Sequence, residues 1–407
     1  MSRKIPVSGP PLLIHKLRTG GFRWLLQRLG EEWRLPRTAA GQALKRSTRV
    51  LRRPVAGRNG RQGAAQKANI LFAFYDLAVA PVTFDFLWFL AGAELARRRA
   101  GLAGVHVAIV PGTHGGLRRE SPEYEARVDA AARRARIQTI LLPACALLPS
   151  LSGVTLAASR DQAERLAAEA GDAVFPRRYE PAFPSYPGPQ EPLRAAREEE
   201  ASIGVLRATD QDLHAVARLL TSRGCTGRIV TITLRSYDFT PERNSNIAAW
   251  AAFARSLDPA RFSVVFVPDR ERCLEPAPEA LRGFPVFPEA ALVLGLRMAL
   301  YERAYLNLGV NNGPMGLCWL NERTRYITFK ILSDAAPNTS ADYMKFLGFE
   351  IGRSLPFARA WQQWVWAEDE LPIIEQAFAE MVALLDSSGP AFSCSTSTAR
   401  VPAAIGD

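Results

Sequence analysis

Residues 305–330 read YLNLGVNNGPMGLCWLNERTRYITFK, and the reading of their middle decides the fold. An apolar run at 305–309 stops at Asn311-Asn312-Gly313-Pro314. A second apolar stretch occupies 314–321, and YITF at 326–329 is a third. Strand, turn, short helix and strand fit these lengths. Gly313 allows torsions and close approach that a side chain forbids. Pro314 suits a first helical residue, because the N–H it lacks has no intrahelical partner there. Ligands of open parallel sheets bind beyond the carboxyl ends of the strands. The turn is therefore either a bare connection or an anion site, with the N–H groups of Met315 and Gly316 and the helix dipole facing the ligand. It has no Walker lysine and is not GxGxxG.

Outward from this stretch the chain alternates strands and helices twice. Strands are expected at 69–75, 105–110 and 139–144, with helices near 83–99, 121–135 and 159–170. The proline- and aromatic-rich 175–200 reads as a crossover, since proline disfavours helix interiors and central strands. A second series has strands at 228–235, 262–269, 305–309 and 326–329. Its helices fall at 288–303 and after an N-cap near Asn244–Asn246. A last helix, 367–385, is expected to pack back across the first domain. The fold class is thus α/β, two Rossmann-like parallel-sheet domains facing a cleft. The expected boundaries are 1–67 for a basic extension and linker, 68–200 for the first domain with crossover, and 201–335 for the second. A helical region follows at 336–386 and a disordered tail at 387–407.

The 407-residue chain carries a net charge of +11. Residues 1–66 hold fifteen Lys or Arg against Glu31 and Glu32, so the remainder is close to neutral. Within the extension Phe22, Leu25, Leu26, Leu29 and Trp33 form one helical stripe among arginines. Residues 11–35 therefore read as an amphipathic helix that either lies on an anionic membrane surface or docks on its own protein. No specific nucleic-acid partner is expected, because the body offers no second basic patch. Five dispersed cysteines without CxxC and four histidines without HExxH exclude zinc-type spacing. No apolar run reaches membrane-spanning length. The expectation is a cytoplasmic protein, able to sit peripherally at the inner face of the cytoplasmic membrane.

NNGPMGL resembles the Asn-Asp-Ser-Gly-Pro-Met-His-Leu segment of the heptosyltransferase-like bacterial glycosyltransferases (ADP-heptose:lipopolysaccharide heptosyltransferase type), which have the GT-B fold. Gly313, Pro314, Met315 and Leu317 match. Asn311 stands in place of an acid, Asn312 in place of a small hydroxyl residue, and Gly316 in place of the histidine. Residues 228–332 follow the same order of strand, polar loop, Trp-bearing helix and strand. The resemblance implies a hexosyl- or heptosyltransferase type enzyme of surface-polysaccharide or lipopolysaccharide synthesis. Its partners would be a nucleotide-sugar donor and a glycan or glycolipid acceptor. Transfer would be inverting and metal-independent, with no cofactor beyond the donor substrate. The alternatives are a non-catalytic nucleotide- or sugar-binding protein on this fold, and a sugar-nucleotide epimerase-like enzyme.

Such transfer needs a neutralised leaving diphosphate, a held nucleotide and a base for the acceptor hydroxyl. For the diphosphate the candidates are Arg235, Arg243, Asn311, Asn312, Gly313, Pro314, Met315 and Gly316. Arg235 ends a strand and is equally readable as a structural ion pair. Asp269 and Lys330 are candidates for the nucleotide. Asp76, after the first strand and followed by Pro81, is the candidate base, and His114 in the loop THGG is the second. Asp85 reads as structural.

Overall fold

Strands of parallel sheets covered on both faces are near-continuous apolar runs, and ILFAFYD is one. In the computed structural model, which describes residues 69–333 and 339–387, it forms β1 (Ile70–Asp76). Helix α1 (Phe86–Arg99) leads to β2 (Gly104–Val110), followed by β3 (Leu151–Leu156), α2 (Arg160–Ala170) and the short β4 (Val174–Phe175). These strands form one parallel sheet in the order β3-β2-β1-β4. Leu71, Ala73, Tyr75, Val107 and Ile109 pack beneath α1. Phe74, Ala108 and Val110 pack on the other face with Ala163 and Ala170 of α2.

The strand expected at 139–144 is not formed. That stretch is a π-helical turn, Ile137–Leu141, running into the helical Leu142–Cys145. Ile140, Leu141, Ala144, Cys145 and Leu148 are buried together, a three-to-four-residue recurrence that belongs to a helix face. The strand lies later, at β3, whose side chains alternate between half-buried and exposed. The crossover also contains a helix, α3 (Gln190–Glu198), which tolerates Pro192 because it lies in the first turn.

Helix α4 (Asp210–Ser222) opens the second unit. It continues through β5 (Arg228–Thr233), α5 (Ile247–Ser256), β6 (Phe262–Val267), α6 (Leu294–Arg303), β7 (Leu306–Val310) and β8 (Tyr326–Phe329). Asn246 caps α5 as expected, its side chain accepting from the Ala249 N–H at 3.2 Å. After α7 (Ala341–Leu347) comes β9 (Gln362–Trp364), which pairs parallel to β8. The second sheet, ordered β6-β5-β7-β8-β9, thus extends past residue 335. Its strand order reverses between β5 and β7, the place where open sheets leave a crevice.

The final helix α8 (Leu371–Ser387) does not cross to the first domain. It covers the second sheet, with Phe378 against Phe253 and Phe262 at 5.1 and 5.4 Å between ring centroids. The chain returns to the first domain earlier, where Phe349 and Phe357 meet Trp88 edge-on. The basic extension, including residues 11–35, and the tail from residue 388 lie outside the described residues. Among the described residues no helix is long and apolar enough to cross a membrane.

If α8 is an integral layer of the second domain, Phe378→Ala should lower unfolding stability by about 3–5 kcal/mol, the usual cost of emptying a buried aromatic site. Urea unfolding followed by tryptophan fluorescence measures it. A change under about 1 kcal/mol would mean that the helix is only loosely applied.

Candidate functional site

The loops after β1, β5, β6 and β7 converge on one cleft, a cavity of about 640 Å³ between the two sheets. The turn of the opening motif forms part of its wall, but not as an exposed anion cradle. Asn312 accepts from the Met315 N–H through Oδ1 at 3.1 Å, and the Gly316 N–H donates to the Gly313 carbonyl. Both N–H groups expected to face an anion are thus satisfied inside the turn, and the α-helix behind it, Gly316–Trp319, is a single turn. Asn311 ties β7 to the chain after β8, its Nδ2 donating to the Ile331 carbonyl at 2.8 Å.

What Gly313 provides is room for the other domain. A Cβ built there would lie 2.7 Å from Phe84 Cδ2, and one at Gly316 would lie 3.1 Å from Leu87 Cδ1. The two glycines let the start of α1 and Phe84, in the loop before it, approach the backbone of the turn. Met315 is fully buried behind them, whereas Pro314 lines the cleft.

Arg235 is in the wall, yet its guanidinium is engaged within its own loop. It donates to the Phe239 and Thr240 carbonyls at 2.8 and 3.0 Å, to Thr240 Oγ1 at 3.1 Å and to Asn244 Oδ1. The loop closes on itself through Arg235 N to Ser245 Oγ and Ser245 N to the Arg235 carbonyl. Arg235 therefore shapes the 236–244 loop in place of holding a phosphate. That loop delivers Arg243, whose guanidinium donates to the Asn311 carbonyl at 3.1 Å. Desolvation, then the neighbouring Arg235 charge, pull the Arg243 guanidinium down to about 10.

Three further arginines that the motif-based reading did not find line the cleft: Arg136, which pairs with Glu271 at 3.2 Å, and Arg270 and Arg297. Arg270 donates to the Leu292 carbonyl, and Arg297, 2% exposed, donates to the Ala290 carbonyl. Arg297 lies on the buried stripe of α6 with Leu294, Met298 and Tyr301, and a charge on an apolar stripe was a readable signal. Among the described residues none of Arg235, Arg243, Arg270 and Arg297 forms an ion pair with a carboxylate. Asp269 sits beside them. It accepts from the Ser236 and Glu271 N–H groups, and desolvation raises its carboxyl.

The two residues proposed from the sequence as bases do not reach the cleft. The Asp76 side chain is fully buried and bound twice by Arg160 at 2.8 and 2.9 Å, with Tyr179 donating at 2.7 Å. It is a structural anchor. His114 is exposed, against Thr113 and Arg119, outside the cavity. Lys330 is likewise outside, paired with Glu368 at 2.7 Å.

The carboxylate that the first domain brings to the cleft is Asp85, the residue that the sequence reading set aside. It precedes α1 and makes no side-chain cap to that helix. Thr83 Oγ1 donates to it at 2.9 Å, and Tyr186 donates to its carbonyl. Asp85 is open to solvent yet lies on the cleft floor with protein around it. Desolvation raises its carboxyl, while Thr83, Arg118 and Arg243 act in the opposite direction. Among the described residues no group of three or more His, Cys, Asp or Glu is placed to hold a metal ion.

If Gly313 serves interdomain packing, Gly313→Val should destabilise the protein by about 1–3 kcal/mol, as overpacking does. Phe84→Ala added to Gly313→Val should recover most of that loss, because the ring is what the new side chain strikes. Thermal unfolding of the four proteins forms the cycle, and additive losses would contradict it.

No protein-family model matches the chain, and no curated protein matches it in sequence. Solved structures similar to it include a glycosyl transferase family 9 protein from Veillonella parvula, at 10% identity over 77% of this chain and 97% of that one, with a TM-score of 0.48. The E. coli ADP-heptose lps heptosyltransferase II is 13% identical over 79% and 99% of the two chains, with a TM-score of 0.37. A fucosyltransferase from Bradyrhizobium is 12% identical over 63% and 94%, with a TM-score of 0.26. With all three scores below 0.5, none of these likenesses decides which reaction this chain performs.

Proposed function

We propose that the chain is a glycosyltransferase that moves a sugar from a nucleotide-diphosphate donor to a hydroxyl acceptor. The observation that carries this is the pairing, in one interdomain cleft, of carboxylate-free guanidinium groups with a single raised carboxylate from the opposite domain. Arg243 and Arg270, with Arg297 behind them, supply positive charge where a diphosphate would sit at the carboxyl edge of the second sheet. Desolvated guanidinium groups favour a multiply charged anion. They can stabilise the charge that grows on the leaving diphosphate, which is the ground for proposing metal-independent transfer. In this reading Asp269, beside these arginines in the cleft lining, contacts the nucleotide.

Asp85 is the base in this reading. Its carboxylate takes the acceptor proton as the acceptor oxygen attacks the anomeric carbon. The bond to the diphosphate oxygen breaks, and that oxygen leaves with the electron pair. Attack from the first-domain side and departure toward the second give inversion at the anomeric carbon. A raised carboxyl brings the base nearer the operating pH, where general-base catalysis is most effective. The resemblance of NNGPMGL to the heptosyltransferase-like segment supports the same reading, with a bacterial surface glycan or glycolipid as acceptor and the cytoplasmic side of the membrane as the place of work.

The test separates binding from chemistry. Arg243→Ala should weaken binding of nucleotide diphosphates, scored by thermal shift and titration, by about 1.5–3 kcal/mol. Asp85→Asn should leave that affinity nearly unchanged and lower turnover of a nucleotide sugar by about two to four powers of ten. Full turnover by Asp85→Asn would overturn the base assignment.

A pH measurement gives an independent check. The folded state holds the Asp85 proton more tightly than the unfolded chain. The stabilisation this brings is complete below the ordinary carboxylate range and is lost as pH rises through the raised value. Asp85→Asn should therefore be more stable than the parent at neutral pH, and the two should converge in acid. Equal stability across the whole range would mean that the carboxyl is not raised.

A further inference from the structure

A sheet edge offers unpaired N–H and C=O groups to any chain that can align with them, and folded proteins blunt such edges. The two sheets end in β3, β4, β6 and β9. β4 has only two residues. β6 is covered by the chain at 285–287, where the Phe266 N–H donates to the Pro285 carbonyl at 2.9 Å and the Phe287 N–H to the Phe266 carbonyl at 2.8 Å. β9 has three residues, and its Trp364 N–H donates to Ser354 Oγ at 3.0 Å. β3 is six residues long, and its register shows which groups point outward. The Ile109 carbonyl of β2 accepts from the Ala157 N–H at 2.9 Å, with Leu156 opposite Ile109 and Val154 opposite Val107. Residues that bond the neighbouring strand alternate with residues that face away, so the backbones of Val154 and Leu156 face away. Among the described residues nothing accepts from those two N–H groups. Their side chains share the face of Val107 and Ile109 and are 37% and 57% exposed. Residues 150–159, SLSGVTLAAS, hold neither a charge nor a proline, the side-chain guards of natural edges.

We propose that β3 binds β3 of a second copy of this chain, antiparallel and about a two-fold axis at Thr155, so that the two four-stranded sheets join into one. In that register Val154 lies opposite Leu156 of the second copy, and Leu156 opposite the second copy's Val154. All of these residues face outward, so each opposed pair exchanges both of its main-chain hydrogen bonds. The exposed side chains meet as Val–Leu pairs on one face, the unit that stabilises a sheet. The contact is self-complementary, as a two-fold interface must be. Other registers lose it. A shift by one residue sets an outward-facing group against an inward-facing one. A shift by two brings up either Ala158, whose N–H is taken by Gln162 Oε1 at 2.8 Å, or Ser152, which lies beyond the irregularity at Val105 and His106. Charge favours a second copy over the basic extension as the occupant. Residues 36–67 hold nine Lys or Arg and no acid, and the β3 edge has no carboxylate to pair with them. A second copy sets an uncharged edge against an uncharged edge. None of residues 150–159 lines the cleft, so pairing leaves both clefts open.

One strand pair is a small interface, so half-association is expected at about 10–100 μM. Sedimentation velocity on the full chain across that range should show a monomer–dimer equilibrium. Leu156→Lys, at an exposed side chain, should weaken association by about tenfold or more. Val154→Pro should do the same, because it removes an N–H that the strand's own sheet does not use. Unchanged urea midpoints show that these variants are folded, and either one alone suffices. Thr155→Cys reads the register. A cysteine there faces its own counterpart with Cβ atoms about 4.5–5.5 Å apart, and oxidation should give a disulfide-linked dimer that the parent does not form. Hydrogen exchange identifies the occupant, since the Val154 and Leu156 amides should gain protection as concentration rises. A chain that stays monomeric throughout would overturn the proposal. So would a dimer that both substitutions leave intact and Thr155→Cys does not cross-link. Protection already complete in the monomer would assign the edge to the chain's own extension and overturn it as well.

Discussion

The contact between Phe84 and the backbone at Gly313 is the constraint on which the cleft depends. The loop after β1 and the turn after β7 come from different sheets, and they meet at a point where a single added carbon would lie 2.7 Å from a ring. Close-packed interiors cannot absorb that intrusion without moving one side. The approach fixes the distance between the carboxyl edges of the two sheets. It therefore fixes where Asp85, next to Phe84, stands relative to Arg243, which hydrogen-bonds beside the same turn. The site's geometry is set by packing between domains before any charge is considered.

Charge then explains why the cleft suits an anion. A buried guanidinium ordinarily finds a carboxylate, because an uncompensated ion in a low-dielectric setting is costly. This chain does so readily elsewhere: Arg160 with Asp76 and Arg207 with Glu322 are paired. In the cleft Arg243, Arg270 and Arg297 instead donate to backbone carbonyls, which satisfies N–H groups without cancelling the charge. The depressed guanidinium of Arg243 is the electrostatic consequence. An anionic ligand would relieve a cost that the folded chain carries in its absence.

The double alternation of strands and helices was legible in the sequence because buried parallel strands are short, apolar and bounded by turns. It failed at 139–144, where an apolar run has the length of a strand and only the spacing of Ile140, Leu141, Ala144 and Cys145 marks it as helix. The motif at 311–316 was found for its glycines, and its location at the cleft was right. The partner of Gly313, however, is Phe84, more than two hundred residues away, and no local pattern contains that. Arg235 looked like a ligand because it ends a strand. Its role depends on carbonyls at 239 and 240 that only the folded loop brings round it. β9 escaped notice because three residues are too few for a periodicity.

The choice between Asp76 and Asp85 shows how environment divides roles between like residues. Asp76 ends β1 and Asp85 closes the loop that follows it, and by residue type either serves as a base. Asp76 lies at the strand's end beneath α2, where Arg160 and Tyr179 take both of its oxygens. A carboxylate so held has no lone pair directed at a ligand, and removing it would leave Arg160 without its partner. It fixes the loop's beginning, as the Tyr186 hydrogen bond to the Asp85 carbonyl fixes its end. Asp85, anchored through its backbone, keeps a carboxylate to which, among the described residues, Thr83 alone donates. Rigid backbone, free oxygen and incomplete solvation are what a catalytic base requires together. The loop separates them by giving the buried acid the structural role and the accessible one the chemistry.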